Sequence, residues 1–131
     1  METRIIVSAV IKHKKKYLIA KRASSKKFAP NKWEFISGFV DTSETAEKII
    51  LRELKEELSI NGKIINTAES YSMTDKEGRW IIIPYLIEVG NSDFTINKKD
   101  HSEAKWVELK DLLKYKDLKR DIQEMKKRKL I

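Results

Sequence analysis

The stretch Gly38-Phe-Val-Asp-Thr-Ser-Glu44-Thr-Ala-Glu-Lys-Ile-Ile-Leu-Arg52-Glu53-Leu54-Lys-Glu56-Glu57-Leu-Ser59-Ile60 decides how the chain is read. Asp41, Thr42 and Ser43 all suit a helix N-cap, so the spacing predicts a helix from about Glu44 to Leu58. Ala46, Ile50, Leu54 and Leu58 recur every four residues and form its expected buried stripe, with Ile49 and Leu51 flanking it. At ~100° per residue, Glu53, Glu56 and Glu57 share an arc of about 100° on the same helix. Like charges at i, i+3 and i+4 repel and weaken an isolated helix. A divalent cation reverses that sign, because Mg²⁺ or Mn²⁺ prefers hard carboxylate oxygens. The usual meaning of a Glu-rich run is a solvated face, but this crowding favours a metal site. Arg52 can reach Glu56 at i+4 and orient it; the bland alternative is a weak surface ion pair.

A length of 131 residues predicts one domain, residues 1–131, large enough for a real core. Hydrophobic residues make up 40% and charged residues 37%, the balance of a globular chain with a well-solvated surface. There is no cysteine, which excludes disulfides, a thiol nucleophile and Cys-based zinc sites, and fits a reducing cytoplasm. The apolar run Ile5 to Ile11 is too short for a membrane span, and its charged flanks do not suit a signal peptide. A cytoplasmic protein without a membrane partner is expected. Net charge is +8, with ten Lys/Arg against three Asp/Glu over residues 1–43 and three against five over 44–59. A basic chain with one acidic helix suits a polyanion steered to a metal. Charge alone leaves nucleotide and nucleic acid open.

Read in order, Ile5–Ile11 and Tyr17–Arg22 are the strands of an expected hairpin around His13–Lys16. Lys21 and Arg22 at the end of the second strand are candidate phosphate contacts. Ala23 to Asn31 reads as a loop and Trp33 to Val40 as a strand entering the Gly38 turn. Lys63 to Met73 and Arg79 to Val89 are expected strands on either side of an Asp75–Gly78 turn. Trp80, Tyr85, Tyr71 and Met73 are candidates for a base pocket, although core packing is the commoner fate of such residues. His101 to Leu109 is an expected strand after a polar loop, followed by helices over Leu109–Tyr115 and Asp117–Lys129, the second burying Leu118, Ile122 and Met125. His101 and His13 lack metal-ligand spacing to another histidine and rank as weak candidates. The basic run Lys126–Lys129 is too short to claim nucleic acid.

The opening stretch resembles the Nudix box, G-x5-E-x7-R-E-U-x-E-E-x-G-U with U a bulky aliphatic residue. Gly38, Glu44, Arg52, Glu53, Leu54, Glu56, Glu57 and Ile60 match, and only Ser59 departs, standing where the family has glycine. The run Trp33-Glu34-Phe35 resembles the W-E-F-P-G-G stretch of MutT-type members, with Ile36 and Ser37 in place of Pro and Gly and Phe39 where some carry a phosphate-contacting lysine. The resemblance implies an α/β/α sandwich with a mixed central sheet, and metal-dependent hydrolysis of a nucleoside diphosphate linked to a further group. It also implies Mg²⁺, with Mn²⁺ as a substitute, held by Glu53, Glu56, Glu57 and the Gly38 carbonyl. Glu103, just before an E-x-x-W strand, stands where members often place a further metal-binding or proton-accepting glutamate.

On this reading Glu53 is the expected base, Arg52 and Glu44 support the cluster, and Arg22, Lys21, Trp33 and Tyr85 meet substrate. The subfamily marks for ADP-ribose and dinucleoside polyphosphates are missing at Lys76 to Gly78, so a (deoxy)nucleoside triphosphate leads by elimination. A sugar-nucleotide or dinucleotide pyrophosphatase is the enzymatic rival, and a non-catalytic nucleotide- or RNA-binding module the rival from another class. The expected partner is a small-molecule nucleotide and not a nucleic acid. Oligomeric state is open, with a homodimer among the options.

Overall fold

A computed structural model describes residues 1–131. The apolar N-terminal run forms β1 (Thr3–His13), which turns at Lys14 into β2 (Lys16–Arg22). The two strands pair only near that turn, from Ile11↔Leu18 to His13↔Lys16, and then splay. The gap is filled from one segment: β3 (Trp33–Glu34) pairs with β2, and β4 (Ile36–Phe39) pairs with β1. The single strand expected over Trp33–Val40 is therefore two, changing partner at the buried Phe35.

The strand expected over Lys63–Met73 is also two, β5 (Lys63–Thr67) and β6 (Tyr71–Asp75), both antiparallel to β7 (Gly78–Glu88). β5 pairs with Tyr85–Glu88 and β6 with Gly78–Ile82, leaving Pro84 between them. Thr67 Oγ1 donates to the Pro84 carbonyl at 3.1 Å, so that edge of Pro84 faces β5, where its missing N–H breaks the ladder. On its other edge β7 runs parallel to β1 from Thr3↔Arg79 to Lys12↔Glu88. Gly78 opens β7 at φ 127°, a backbone that glycine alone adopts freely. Finally β8 (His101–Glu108) pairs antiparallel with β2. The result is one mixed eight-stranded sheet.

One face of the sheet carries α1 (Ala46–Leu58), whose Ile49, Ile50, Leu54 and Leu58 pack on Val7, Ala9, Ile11 and Leu18. The helix begins two residues later than expected, because Thr45 is the N-cap and its Oγ1 accepts from Lys48 N at 3.3 Å. Ile49 is fully buried and not merely flanking. The opposite face carries α2 (Leu109–Leu112), a 3-10 turn over Lys116–Leu118, and α3 (Lys119–Lys127), shorter than the two helices expected there. Leu118, Ile122 and Met125 are buried as anticipated, against Val10, Tyr17, Ile19 and Phe35. Helices on both faces of a mixed sheet make the α/β/α sandwich. No helix is long and apolar enough to cross a membrane.

Candidate active site

The rigid piece of the site is α1. Its C-terminus closes with Ser59 in the left-handed region at φ 58°, Ser59 N donating to Lys55 O at 3.0 Å and Ile60 N to Leu54 O at 3.3 Å. Glycine is the usual residue there, so Ser59 carries backbone strain of roughly 1–2 kcal/mol. With both ends capped and the apolar stripe buried, the charged face has a fixed direction. Glu53 lies across Gly38 of β4: a Cβ on that glycine would stand 2.6 Å from Glu53 Cγ and 3.1 Å from Cδ. Gly38 is therefore required for close approach, which is what lets the helix carboxylate lean over the strand. Arg52 gathers three acids, pairing with Glu44 and lying 3.8 Å from Glu53 Oε1 and 3.6 Å from Glu56 Oε1. The i+4 reach to Glu56 is present, and Glu44, outside the helix, joins as the expected support. Glu56 itself is exposed.

Glu57 points the other way, into the protein, and is only 7% exposed. Burial first, and then the facing Glu53 carboxylate with Glu34 and Asp100 behind it, pushes its pKa well above the usual carboxylate range. Its Oε2 is buried without a hydrogen-bond partner. On its inner side sits His101, 1% exposed, with Nδ1 3.7 Å from Glu57 Oε1 and Nε2 2.9 Å from Glu34 Oε2. Glu34 also accepts from Arg22 Nη1 at 3.2 Å to each oxygen and from Ser37 Oγ at 3.3 Å. Arg22 Nε donates to the Phe28 carbonyl at 2.8 Å.

Glu34 was not among the residues expected from the sequence, and His101 ranked only as a weak candidate. Glu34 stands in the Trp33-Glu34-Phe35 run and had a signal. The inward direction of His101 had none, because its placement depends on a bulge: the β2–β8 register jumps from Lys21↔Glu103 to Arg22↔His101, leaving Ser102 over. A bulge re-aims the side chain beside it. The loop before β8 is tied to the end of α1 by Thr95 N to Leu58 O and Asn97 N to Glu57 O, each 2.9 Å, which brings His101 to Glu57.

Glu53, Glu57, Glu34 and Arg22 line a cleft of about 350 Å³, the size of a small-ligand site. An aromatic cluster lines it too. Trp80 packs against Phe28 at 5.1 Å and Phe39 at 6.2 Å between ring centres, and Arg4 lies 4.6 Å over Phe28. Phe39 is 54% exposed at the lip. Trp33 and Met73 also line the cleft, and Lys26 and Lys32 add positive charge, Lys26 already paired with Asp100 at 2.8 Å.

Three expected site residues lie elsewhere. Tyr85 is buried on the α1 face of β7, donating to Glu47 Oε1 at 3.2 Å, so it cannot meet a ligand in the cleft. Glu103 is an exposed residue opposite Lys21 on the β2–β8 ladder and does not line the cleft. Lys21, its neighbour across the ladder, is outside the cleft as well. Of the other base-pocket candidates Trp80 and Met73 line it, whereas Tyr71 is buried and donates to Asp121 at 2.7 Å.

No three His, Asp or Glu side chains form a finished metal cage. The Glu53–Glu57 pair nevertheless fits a hard divalent cation. Two carboxylates face each other, one of them buried with an orphaned oxygen, and their mutual repulsion is what such an ion removes.

Comparison with known proteins agrees with this construction. The family model of the NUDIX domain matches residues 2–128. The nucleoside triphosphatase NudI of Klebsiella pneumoniae (strain 342) is 32% identical over 127 residues, covering 88% of this chain and 89% of that protein. The ADP-ribose pyrophosphatase of Methanocaldococcus jannaschii is 30% identical over 114 residues, covering 84% of this chain and 64% of its own length. Among solved structures, the MutT protein from Methanosarcina mazei Go1 shares the fold with a TM-score of 0.77 at 23% identity, covering 93% of this chain and 88% of that one. A matching family model over nearly the whole length, joined to a glycine-supported carboxylate helix, places the chain in the Nudix family as a pyrophosphohydrolase.

Proposed function

We propose that this enzyme cleaves a (deoxy)nucleoside triphosphate to the monophosphate and pyrophosphate, with residues 1–131 as one catalytic domain and Mg²⁺, or Mn²⁺ in its place, as the cofactor. The observation that carries this reading is one cleft lined both by Glu53 and buried Glu57 and by the aromatic cluster of Phe28, Phe39 and Trp80. Phosphates belong beside the carboxylates and the base on the aromatic cluster, where a ring can stack. The similarity to a nucleoside triphosphatase over most of both chains supports the triphosphate. Lack of cysteine supports a cytoplasmic location.

Glu53, Glu56, Glu57 and the Gly38 carbonyl would hold the cation. When bound, a divalent cation neutralises phosphate charge and lowers the pKa of water. Glu53, propped over Gly38 in the cleft, accepts the proton of the attacking water as its oxygen bonds to phosphorus. The P–O bond that bridges the α- and β-phosphorus breaks, the attacked fragment keeps the water oxygen, and the other fragment departs with the bridging oxygen and its charge, giving monophosphate and pyrophosphate. Arg52, pinned by Glu44, keeps Glu53 and Glu56 in register. Arg22, held by Glu34 and the Phe28 carbonyl, presents its charge to the phosphates without having to be ordered by them.

A second reading, ADP-ribose as substrate, is favoured by the similarity to an ADP-ribose pyrophosphatase. The test is phosphate release coupled to inorganic pyrophosphatase across nucleoside triphosphates, with ADP-ribose followed in parallel by chromatography. Phosphate released only when the pyrophosphatase is present supports the triphosphate reading. Turnover of ADP-ribose with inert triphosphates replaces it with the second.

A further inference from the structure

His101 is the most buried ionisable side chain beside the carboxylate pair, and nothing in the reaction as described uses it. Its two nitrogens are treated differently by the fold. Glu34 holds Nε2 at 2.9 Å, and because a carboxylate only accepts, Nε2 carries the hydrogen of that bond; a bond from Nδ1 to the Glu57 carboxylate requires a second hydrogen on the ring. Nδ1 is buried without a partner and faces Glu57 Oε1 at 3.7 Å. Glu57 has an orphaned oxygen of its own. Unpartnered buried polar atoms are rare in a folded protein, and here Glu57 Oε1 stands 3.7 Å from the unpartnered Nδ1, just beyond hydrogen-bond distance and one short movement from it. That movement is available to Glu57, whose other side opens on Glu53 and the cleft. It is not available to His101, which is clamped by Glu34, itself clamped by Arg22 and Ser37.

We propose that His101 is a positioning residue of the metal centre. Fixed by Glu34, it presents Nδ1 to Glu57 and sets the direction in which that carboxylate meets the divalent cation. The proposal rests on the reading of Glu53 and Glu57 as metal ligands. It moves the contribution of β8 from the exposed Glu103 to a side chain that acts through Glu57. Ligand-orienting partners of this kind typically change metal affinity by roughly 10–100-fold when removed.

Two near-isosteric substitutions separate this role from that of a mere staple between β8 and β3. In His101→Asn the amide nitrogen falls near the place of Nδ1, keeping a donor toward Glu57 and losing the bond to Glu34. In His101→Gln it falls near the place of Nε2, keeping Glu34 and losing Glu57. Mn²⁺ binding is read by electron paramagnetic resonance on folded protein without substrate, with Glu57→Gln alongside. The expected result is a loss of roughly 10–100-fold in His101→Gln and a much smaller one in His101→Asn. Wild-type affinity in His101→Gln, or a greater loss in His101→Asn, overturns the proposal. Unchanged Mn²⁺ affinity in Glu57→Gln instead sinks the metal-centre reading beneath it. Should neither histidine variant fold, nitrogen-15 NMR of the unmodified protein decides, since it has only two histidines. A slowly exchanging Nδ1 proton on His101 once Mg²⁺ is added supports the contact with Glu57, and a bare Nδ1 refutes it.

Discussion

Of the groups that line the cleft, Glu53 and Glu57 come from a single thirteen-residue helix, whereas Phe28, Phe39 and Trp80 come from a loop, β4 and β7. The first set is related by helical geometry: once α1 is capped and its stripe buried, the carboxylates have no freedom relative to one another. The second set meets only when β4 has been inserted beside β1 and β7 has paired along its other edge. The difference teaches where precision is needed. Groups that share a cation and a proton are fixed by the shortest covalent route, and groups that hold a flat ring are assembled by packing, which tolerates variation.

The strongest break of that comparison is Glu53→Gln. It should lower turnover by about 10²–10⁴-fold, the range of a lost general base, with an unchanged melting temperature. Gly38→Ala comes next. The added methyl would stand 2.6 Å from Glu53 Cγ, so the carboxylate must move, and a displacement near 1 Å costs about 10²-fold in turnover. Circular dichroism should show the fold retained, which separates displacement of Glu53 from unfolding. In the aromatic cluster, Trp80→Ala should act on binding. Stacking is worth ~1–3 kcal/mol per base, so KM rises roughly ten-fold or more while kcat stays within a few-fold. The smallest effect belongs to Ser59→Gly. Relief of left-handed strain, less the added freedom of an unfolded glycine, should stabilise the fold by about 0.5–1 kcal/mol, read as a raised urea midpoint with an unchanged slope.

The carboxylate helix was legible in the sequence because fixed spacing on a helix is a local property, and Glu53, Glu56, Glu57 and Arg52 needed nothing else. Gly38 was legible as a glycine at a turn, and the structure shows why no side chain fits there, which is Glu53 lying across it. The aromatic cluster was half legible. Trp80 and Tyr85 lie five apart on one strand, and a period of two already puts them on opposite faces, so both could not line one pocket. The broken ladder at Pro84 was likewise readable, since a proline inside a long central strand has to interrupt pairing on one edge. His101 in place of Glu103 was not readable. Both precede the same Trp106, and only the extra Ser102 in the β8 ladder turns the histidine inward. Likewise Thr45 caps α1 in place of Asp41, Thr42 or Ser43, a choice set by how the chain leaves β4 and not by propensity.

The most direct test of the division of labour is steady-state kinetics of the wild type, Glu53→Gln and Trp80→Ala on one panel of nucleoside triphosphates with Mg²⁺. Glu53→Gln should lower kcat for every nucleotide and keep their rank order. Trp80→Ala should keep kcat, raise KM and change the rank order. A collapse of kcat in Trp80→Ala, or near-normal kcat in Glu53→Gln, would contradict the assignment of chemistry to the carboxylates and recognition to the aromatic cluster.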